Sequence, residues 1–237
     1  MTEWLKQIQN EVIDFFFPQV CIGCGKVGGF ICFDCSKKLS RLLPPLCKKC
    51  GRPESSGAYC NECWRNSNSL DTIRSVFIFE GVTRMAIHEF KYHNLRALSH
   101  CLSGFMAQYF RENQLVGDIL LPVPLHDRRL KERGYNQSEL LAREISKVIA
   151  LPVKVNLVKR VKDNKPQART VSVKERRINM LNAFVCTSSE VYGKDIVIID
   201  DVCTSGATLE SCAGALKAGG ARNIVGFTLA REIFHGS

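Results

Sequence analysis

From residue 196 to residue 208 the chain reads IVIIDDVCTSGAT, and its order of residue types is unusually specific. An apolar run typical of a buried strand ends at two adjacent carboxylates, Asp200 and Asp201 (the acidic pair). A turn of small and hydroxyl-bearing residues follows, and a helical pattern begins directly after it. We therefore predict a strand, an acidic pair, a tight loop and the start of a helix, in that order.

A loop of this kind suits a phosphate group, because its backbone amides and the positive end of the helix dipole both face the anion. Gly206 lets the backbone approach the anion without a Cβ in the way. The acidic pair can accept hydrogen bonds from vicinal ribose hydroxyls, or hold them through a divalent cation. The alternative is an ordinary β-turn-α connection. The residues of the predicted phosphate loop are Thr204, Ser205, Gly206, Ala207 and Thr208.

Eight of the twelve cysteines lie between residues 21 and 63, as four CxxC pairs that form two similar copies. Such density in a reducing compartment indicates metal binding rather than disulfides. Each copy offers four thiolates, enough for one closed tetrahedral zinc site, and a segment this short needs metal to fold. We predict two structural zinc ions, with disulfides or an iron–sulfur cluster as the alternatives. The predicted ligands are Cys21, Cys24, Cys32, Cys35, Cys47, Cys50, Cys60 and Cys63.

The pairing of these ligands is open from the sequence. Sequential ribbons are favoured, but a cross-braced arrangement that joins the first and third pairs fits the same residues. The remaining cysteines lie in helix or strand patterns and are predicted to be small core residues.

The formal charge of +10 is concentrated in residues 121–180, which carry fifteen basic and six acidic side chains. Residues 1–70 carry nine basic and six acidic side chains, an excess that two zinc–tetrathiolate centres would offset. The basic segment suits either an anionic substrate or a nucleic acid. With 45% apolar residues, no apolar run that could span a bilayer and no signal-peptide pattern, we expect a globular cytosolic protein.

The chain divides into three predicted segments: an amphipathic helix over residues 1–17, a double zinc ribbon over 18–66 and an α/β domain over 67–237. In the last segment strands alternate with helices, which predicts a doubly wound parallel sheet with ligands at its carboxyl edge. Predicted strands cover residues 73–79, 119–125, 153–158, 183–187, 195–199 and 223–229. Predicted helices cover residues 82–92, 95–111, 136–149 and 208–218, the third opened by a capping box of Asn136 and Glu139.

Two further polar clusters fall where strands are predicted to end. The first follows strand 119–125, and its cations and helix start suit a polyanion such as pyrophosphate. The second is residues 160–179, which have no apolar face and are predicted to form a basic surface loop. Candidate residues of the first cluster are Arg128, Arg129, Arg133, Asn136 and Gln137, and those of the second are Lys165, Gln167, Arg169, Arg176 and Arg177.

Taken together these motifs resemble the ComF family, also called ComFC, over nearly the whole chain. Residues 196–208 are similar to the signature with which type I phosphoribosyltransferases bind phosphoribosyl pyrophosphate (PRPP). Asn94, Tyr135 and Cys203 depart mildly from the family pattern. The motifs that carry the resemblance are the paired CxxC ribbons, Cys47-Lys-Lys-Cys-Gly-Arg-Pro53, Lys91-Tyr92, Leu121-Pro-Val-Pro-Leu-His126, Arg133-Gly-Tyr-Asn-Gln137 and the phosphate loop.

The resemblance implies a phosphoribosyltransferase-like domain behind a zinc ribbon, in a bacterial protein of natural competence that handles single-stranded DNA. It implies that the acidic pair holds the ribose diol and Mg²⁺, and that residues 204–208 hold the 5′-phosphate. Residues 128–137 would face pyrophosphate, and residues 160–179 would form a flexible lid.

Three functions are compatible with these features. The favoured one is a competence protein that binds PRPP or a related phosphate and single-stranded DNA. The second is an active phosphoribosyltransferase whose acceptor the sequence does not identify. The third is a scaffold whose zinc module docks a partner such as a DNA-uptake helicase. Aromatic residues are sparse among the cations, although stacking platforms normally accompany single-strand binding.

Overall fold

The computed structural model describes residues 18–65, 69–93, 95–162 and 183–233. A parallel sheet of four strands in the order β1-β6-β5-β2 forms its centre. The predicted α/β class with a parallel sheet is confirmed. The strands are β1 (Thr72–Ile78), β2 (Ile119–Pro122), β3 (Val158–Arg160), β4 (Phe184–Cys186), β5 (Asp195–Cys203) and β6 (Asn223–Arg231).

Helices cover both faces of this sheet, and successive residues of each strand therefore enter different cores. In β5, Val197 and Ile199 face one hydrophobic core, whereas Ile196 and Ile198 face the other. The helices are α1 (Phe33–Ser36), α2 (Asn61–Arg65), α3 (Gly81–Tyr92), α4 (Leu98–Glu112), α5 (Asp127–Arg133), α6 (Gln137–Ile149) and α7 (Ala207–Ala218). Helices α3, α4 and α6 contribute to the first core, and α7 packs in the second.

Strand β5 is longer than predicted, because it does not end before the acidic pair. Its ladder with β6 continues past Asp200, which lies opposite Thr228, to Cys203, which lies opposite Arg231. The neighbouring strand β6 is long enough to supply hydrogen-bond partners up to Cys203, and short-range sequence patterns do not predict such a partner. The acidic pair is therefore held on the strand itself.

The strands predicted at residues 153–158 and 183–187 do not join the parallel sheet. They are replaced by β3 and β4, which form a separate antiparallel pair, while Val153 makes only an isolated bridge to Leu120. Arg160, predicted to open the basic surface loop, is instead the last residue of β3, buried with its guanidinium 5.5 Å from the ring of Phe184. The predicted loop residues Lys165, Gln167, Arg169, Arg176 and Arg177 lie outside the described residues.

Helix α5 was not predicted, because no residue in it is buried and it has no apolar periodicity. The imidazole of His126 caps it by accepting a hydrogen bond from the amide of Arg128. Helix α6 begins as predicted after the cap Asn136, whose side chain accepts from the amide of Ser138. The reciprocal half of the capping box is wrong, since Glu139 instead accepts from Arg143 at 2.7 and 2.9 Å.

None of the helices in the described ranges combines the length and apolar character needed to cross a membrane. The amphipathic helix predicted within residues 1–17 lies outside those ranges.

Candidate functional site

The acidic pair lies near the carboxyl end of β5, where ligands of parallel sheets usually bind. Asp201 is 7% exposed, and its Oδ1 is 2.8 Å from Nζ of Lys91 near the end of α3. The lysine is itself four-fifths buried. Because both side chains are largely buried, solvent screens the attraction between this carboxylate and ammonium only weakly. Within the described ranges the second oxygen of Asp201 has no partner, so it can bind a ligand.

Asp200 is held from a different helix. Its Oδ1 accepts hydrogen bonds of 2.9 Å from the hydroxyl of Ser138, in the first turn of α6, and from the amide of Asp201. Burial and then the neighbouring charge of Asp201 raise the pKa of Asp200 to about 7, although Lys91 and Ser138 act in the opposite direction. Asp200 therefore changes charge near neutral pH.

The phosphate loop has the geometry of an anion site at a helix N-terminus. Gly206, with φ of 82°, is the residue before α7, and this left-handed conformation favours glycine. The amide of Ala207 donates to Oγ of Ser205. The amides of Thr204, Ser205 and Gly206 find no acceptor within the described ranges of the chain. These three free amide donors lie directly before the amino end of a twelve-residue helix, where they can bind a phosphate group.

The two predicted clusters at β2 and β5 meet, and the Ser138–Asp200 hydrogen bond joins them. Two of the predicted pyrophosphate-side residues are engaged within the protein. Asn136 caps α6 and donates to the carbonyl of Val123 at 3.0 Å, and Gln137 is 1% exposed and accepts from Arg133 at 3.1 Å. Their predicted contact with pyrophosphate stays a prediction.

The predicted cations of this cluster are carried by α5. Arg128 pairs with Glu132 at 2.9 Å on an exposed surface, and Arg129 lies beside it in the same helix. Arg133 is the last residue of α5, and its guanidinium lies 5.4 Å from the ring centre of Tyr92.

Tyr92 is an exposed aromatic residue at this edge of the sheet. It is 61% exposed at the end of α3, directly after Lys91, and its ring also lies 4.9 Å from that of His88. An aromatic face next to a guanidinium and an imidazole is a suitable platform for stacking a nucleobase. No short sequence motif marks this platform, because Tyr92 and Arg133 are far apart in the chain.

The cysteines form two separate tetrads, each from consecutive CxxC pairs. In each tetrad all Sγ atoms lie within 4.8 Å of one another, and this geometry selects sequential ribbons over the cross-braced pairing. Cys24 and Cys32 have their sulfurs 3.6 Å apart, and Cys50 and Cys60 have theirs 3.7 Å apart. A zinc tetrahedron with bonds of about 2.3 Å has sulfurs about 3.8 Å apart, so the tetrads fit zinc.

Backbone amides lower the pKa of one cysteine in each tetrad, which favours its thiolate form. Although burial acts to raise it, hydrogen bonds from the amides of Cys32, Cys24 and Gly23 lower the pKa of Cys21 to about 6. Cys47 in the second tetrad has a pKa lowered to about 6 in the same way. Gly25 and Gly51, with φ of 76° and 70°, close the two turns. Zinc would supply the cation that four adjacent thiolates require.

Three contacts of the site were not predicted. Lys91 pairs with Asp201, Ser138 with Asp200, and Arg231 with Cys203. Each partner lies on a different element from the aspartate or cysteine it contacts, and no short motif connects them.

Two protein families match this chain. The double zinc ribbon domain matches residues 12–64, and the phosphoribosyl transferase domain matches residues 135–232. The first match covers both cysteine tetrads, and the second covers the acidic pair and the phosphate loop.

Three curated proteins are similar over most of their length. Competence protein F of Haemophilus influenzae is 31% identical, over 91% of this chain and 98% of that protein. Competence protein ComFC of Bacillus subtilis is 30% identical, over 85% of this chain and 84% of that protein. DNA utilization protein YhgH of Escherichia coli O157:H7 is 28% identical, over 86% of this chain and 91% of that protein.

Proposed function

Because this chain belongs to the family of competence protein F and ComFC, we propose that it acts in DNA uptake by binding a phosphorylated ribose and single-stranded DNA. The observation that carries the sugar-phosphate part is the acidic pair beside three free amides at the start of α7. The ligand that fits this combination is PRPP or a related ribose phosphate.

In this proposal the acidic pair and the phosphate loop hold opposite ends of the sugar. Asp200 and Asp201 accept hydrogen bonds from the ribose hydroxyls, and the amides of residues 204–206 hold the 5′-phosphate. Mg²⁺, when bound with PRPP, would mask the charge of pyrophosphate. Lys91 keeps Asp201 in place, and Ser138 keeps Asp200 in place, so the site is preorganised.

We expect the binding of Mg-PRPP to weaken by about tenfold between about pH 8 and pH 6, because binding needs Asp200 ionised and its pKa is about 7. The contribution of Asp200 to the free energy of unfolding changes with pH in the opposite direction to its contribution to ligand binding. The folded state holds the proton more tightly than the unfolded state, so this carboxyl lowers the free energy of unfolding as the pH rises from about 4 to 7. Calorimetric titration across this pH range measures the first effect.

The phosphates of PRPP also titrate in this pH range and contribute to the pH dependence of the affinity. The variant Asp200→Asn separates their contribution from that of Asp200. The pH dependence that remains in this variant belongs to the ligand and to other groups. An equally steep dependence in Asp200→Asn would contradict the role of Asp200.

The single-strand part of the proposal is supported by Tyr92 next to Arg133. This tyrosine lies beside Lys91, which contacts the acidic pair, so a strand stacked on Tyr92 would pass close to the phosphorylated ribose. The cations of α5 would contact the backbone phosphates of the strand.

Tyr92→Ala is expected to weaken binding of a short single-stranded oligonucleotide by about 1–3 kcal/mol, roughly 5- to 150-fold, through loss of one stacked base. Fluorescence anisotropy with a labelled oligothymidylate in about 50 mM salt measures the affinity, which should fall steeply towards about 200 mM. Tyr192→Ala is the matched control, because Tyr192 is 78% exposed beside the amino end of β5, at the opposite edge of the sheet. An equal loss in both variants would contradict a stacking role for Tyr92.

A further inference from the structure

Arg231 is a buried arginine whose charge the proposed ribose and DNA sites do not use. It is the last residue of β6, and it is 1% exposed. Its Nη1 donates to Sγ of Cys203 at 3.3 Å, and its Nε has no hydrogen-bond partner in the described part of the chain. Within the same ranges no carboxylate lies within 4.0 Å of it. A buried guanidinium without an anion is costly, so a negative group must lie nearby.

The second cysteine tetrad would supply that negative group once it holds zinc. Arg231 and Cys50 line the same cavity, of about 860 Å³, which lies between the second zinc ribbon and α7. A zinc ion bound by four thiolates has a net charge of −2, which Arg231 would partly balance.

Arg231 also contacts the residue directly before the phosphate loop. Its sulfur partner, Cys203, is the residue directly before Thr204, and the amide of Glu232 donates to the carbonyl of Cys203 at 3.0 Å. The guanidinium therefore fixes the point at which the chain leaves β5. Ser205 and Gly206 line the same cavity as Arg231.

A second connection between this tetrad and the loop runs through β1. The amide of Ile73 donates at 2.7 Å to the carbonyl of Lys49, which lies in the first CxxC turn of the second tetrad. The side chain of Ile73 lies against Gly206, where an added Cβ would be 3.4 Å from Cδ1 of Ile73. The first tetrad is seated elsewhere: Cys21 and Cys35 pack in the core of α3, and a Cβ on Gly23 would be 3.0 Å from Val82.

We propose that Arg231 is a positioning residue that ties the second zinc centre to the phosphate loop, so that this centre, unlike the first, supports sugar-phosphate binding. The inference rests on the proposed function of the loop. It assigns different roles to two metal centres that look alike in sequence.

Two measurements on Arg231→Met test the proposal, using the full chain with both zinc ions. The first is the rate of zinc release to a chromogenic chelator, where we expect one of the two ions to leave about tenfold faster. The second is the calorimetric affinity for ribose 5-phosphate, where we expect a loss of about tenfold. Arg160→Met is the matched control, because Arg160 is also buried but packs on Phe184, and it should change neither quantity.

Arg231→Lys keeps the charge but loses the planar fork that reaches Cys203. It should release zinc at the wild-type rate while ribose 5-phosphate affinity falls by a smaller factor, and this variant decides the matter if Arg231→Met fails to fold. Wild-type zinc release and affinity in Arg231→Met overturn the proposal. If the unaltered protein does not bind ribose 5-phosphate, the proposed function and the link to the loop both fail, and zinc release alone decides the counter-ion role.

Discussion

Asp201→Asn is expected to lose about a hundredfold or more of the affinity for Mg-PRPP. The substitution removes a negative charge where the proposed ligand brings hydroxyl donors and a divalent cation, and hydrogen bonds to charged groups contribute about 1.5–3 kcal/mol each. It also leaves Lys91 without its carboxylate partner in a place that is four-fifths buried. The loss of one or two such contacts amounts to about 3 kcal/mol, which corresponds to the expected factor.

Calorimetry with Mg-PRPP measures this loss, and circular dichroism checks that the variant is folded. Asp195→Asn is the matched control, because Asp195 begins the same strand and pairs with Arg222 at the opposite edge of the sheet. We expect the control to bind Mg-PRPP like the unaltered protein. Unchanged affinity in a folded Asp201→Asn would rule out the acidic pair as the ribose site.

The local features of this site are predictable from the sequence because they depend on neighbouring residues. Thirteen consecutive residues contain the strand, the acidic pair, Gly206 and the start of the helix. The φ of 82° at residue 206 favours glycine, so this residue type is a local signal of the turn. The two tetrads are equally local, since the ligands of each lie within seventeen residues of chain. Zinc chemistry then constrains them to one arrangement.

The contacts that tune the site are long-range, and no periodicity in the sequence marks them. Ser138 reaches Asp200 across 62 residues, and Lys91 reaches Asp201 from a helix on one face of the sheet. Both depend on the strand order β1-β6-β5-β2, which a single sequence does not specify. The raised pKa of Asp200 follows first from burial in this packing and then from the charge of Asp201, and only the second cause is local in the chain.

Long-range pairing also explains why β3 and β4 lie outside the parallel sheet, in which they were expected. The strand predicted at residues 183–187 is confirmed as β4, whereas only Val158 of the strand predicted at residues 153–158 lies in β3. Val158 pairs with Cys186 in a separate antiparallel ladder, and Val153 makes one isolated bridge to Leu120 of the central sheet. Pairing is a tertiary property, and strand propensity alone does not determine it.

Metal analysis is expected to find two zinc ions per chain, and their removal should unfold residues 18–65 while the parallel sheet persists. Structural zinc contributes on the order of 10 kcal/mol to such modules, and four thiolates within 4.8 Å repel one another once the cation is gone. Hydrogen exchange with and without a strong chelator measures the loss of protection segment by segment.

Single substitutions make this prediction specific to the tetrads. Cys24→Ser should retain one zinc ion, whereas Cys186→Ser, outside both tetrads, should retain two. Because the first CxxC turn of the second tetrad is hydrogen-bonded to β1 through Lys49 and Ile73, loss of zinc there should also reduce protection in that strand. The first tetrad packs against α3, so loss of its ion should spread to that helix instead. One zinc ion in the unaltered chain, or equal exchange in both states, would mean that metal does not hold the ribbons together.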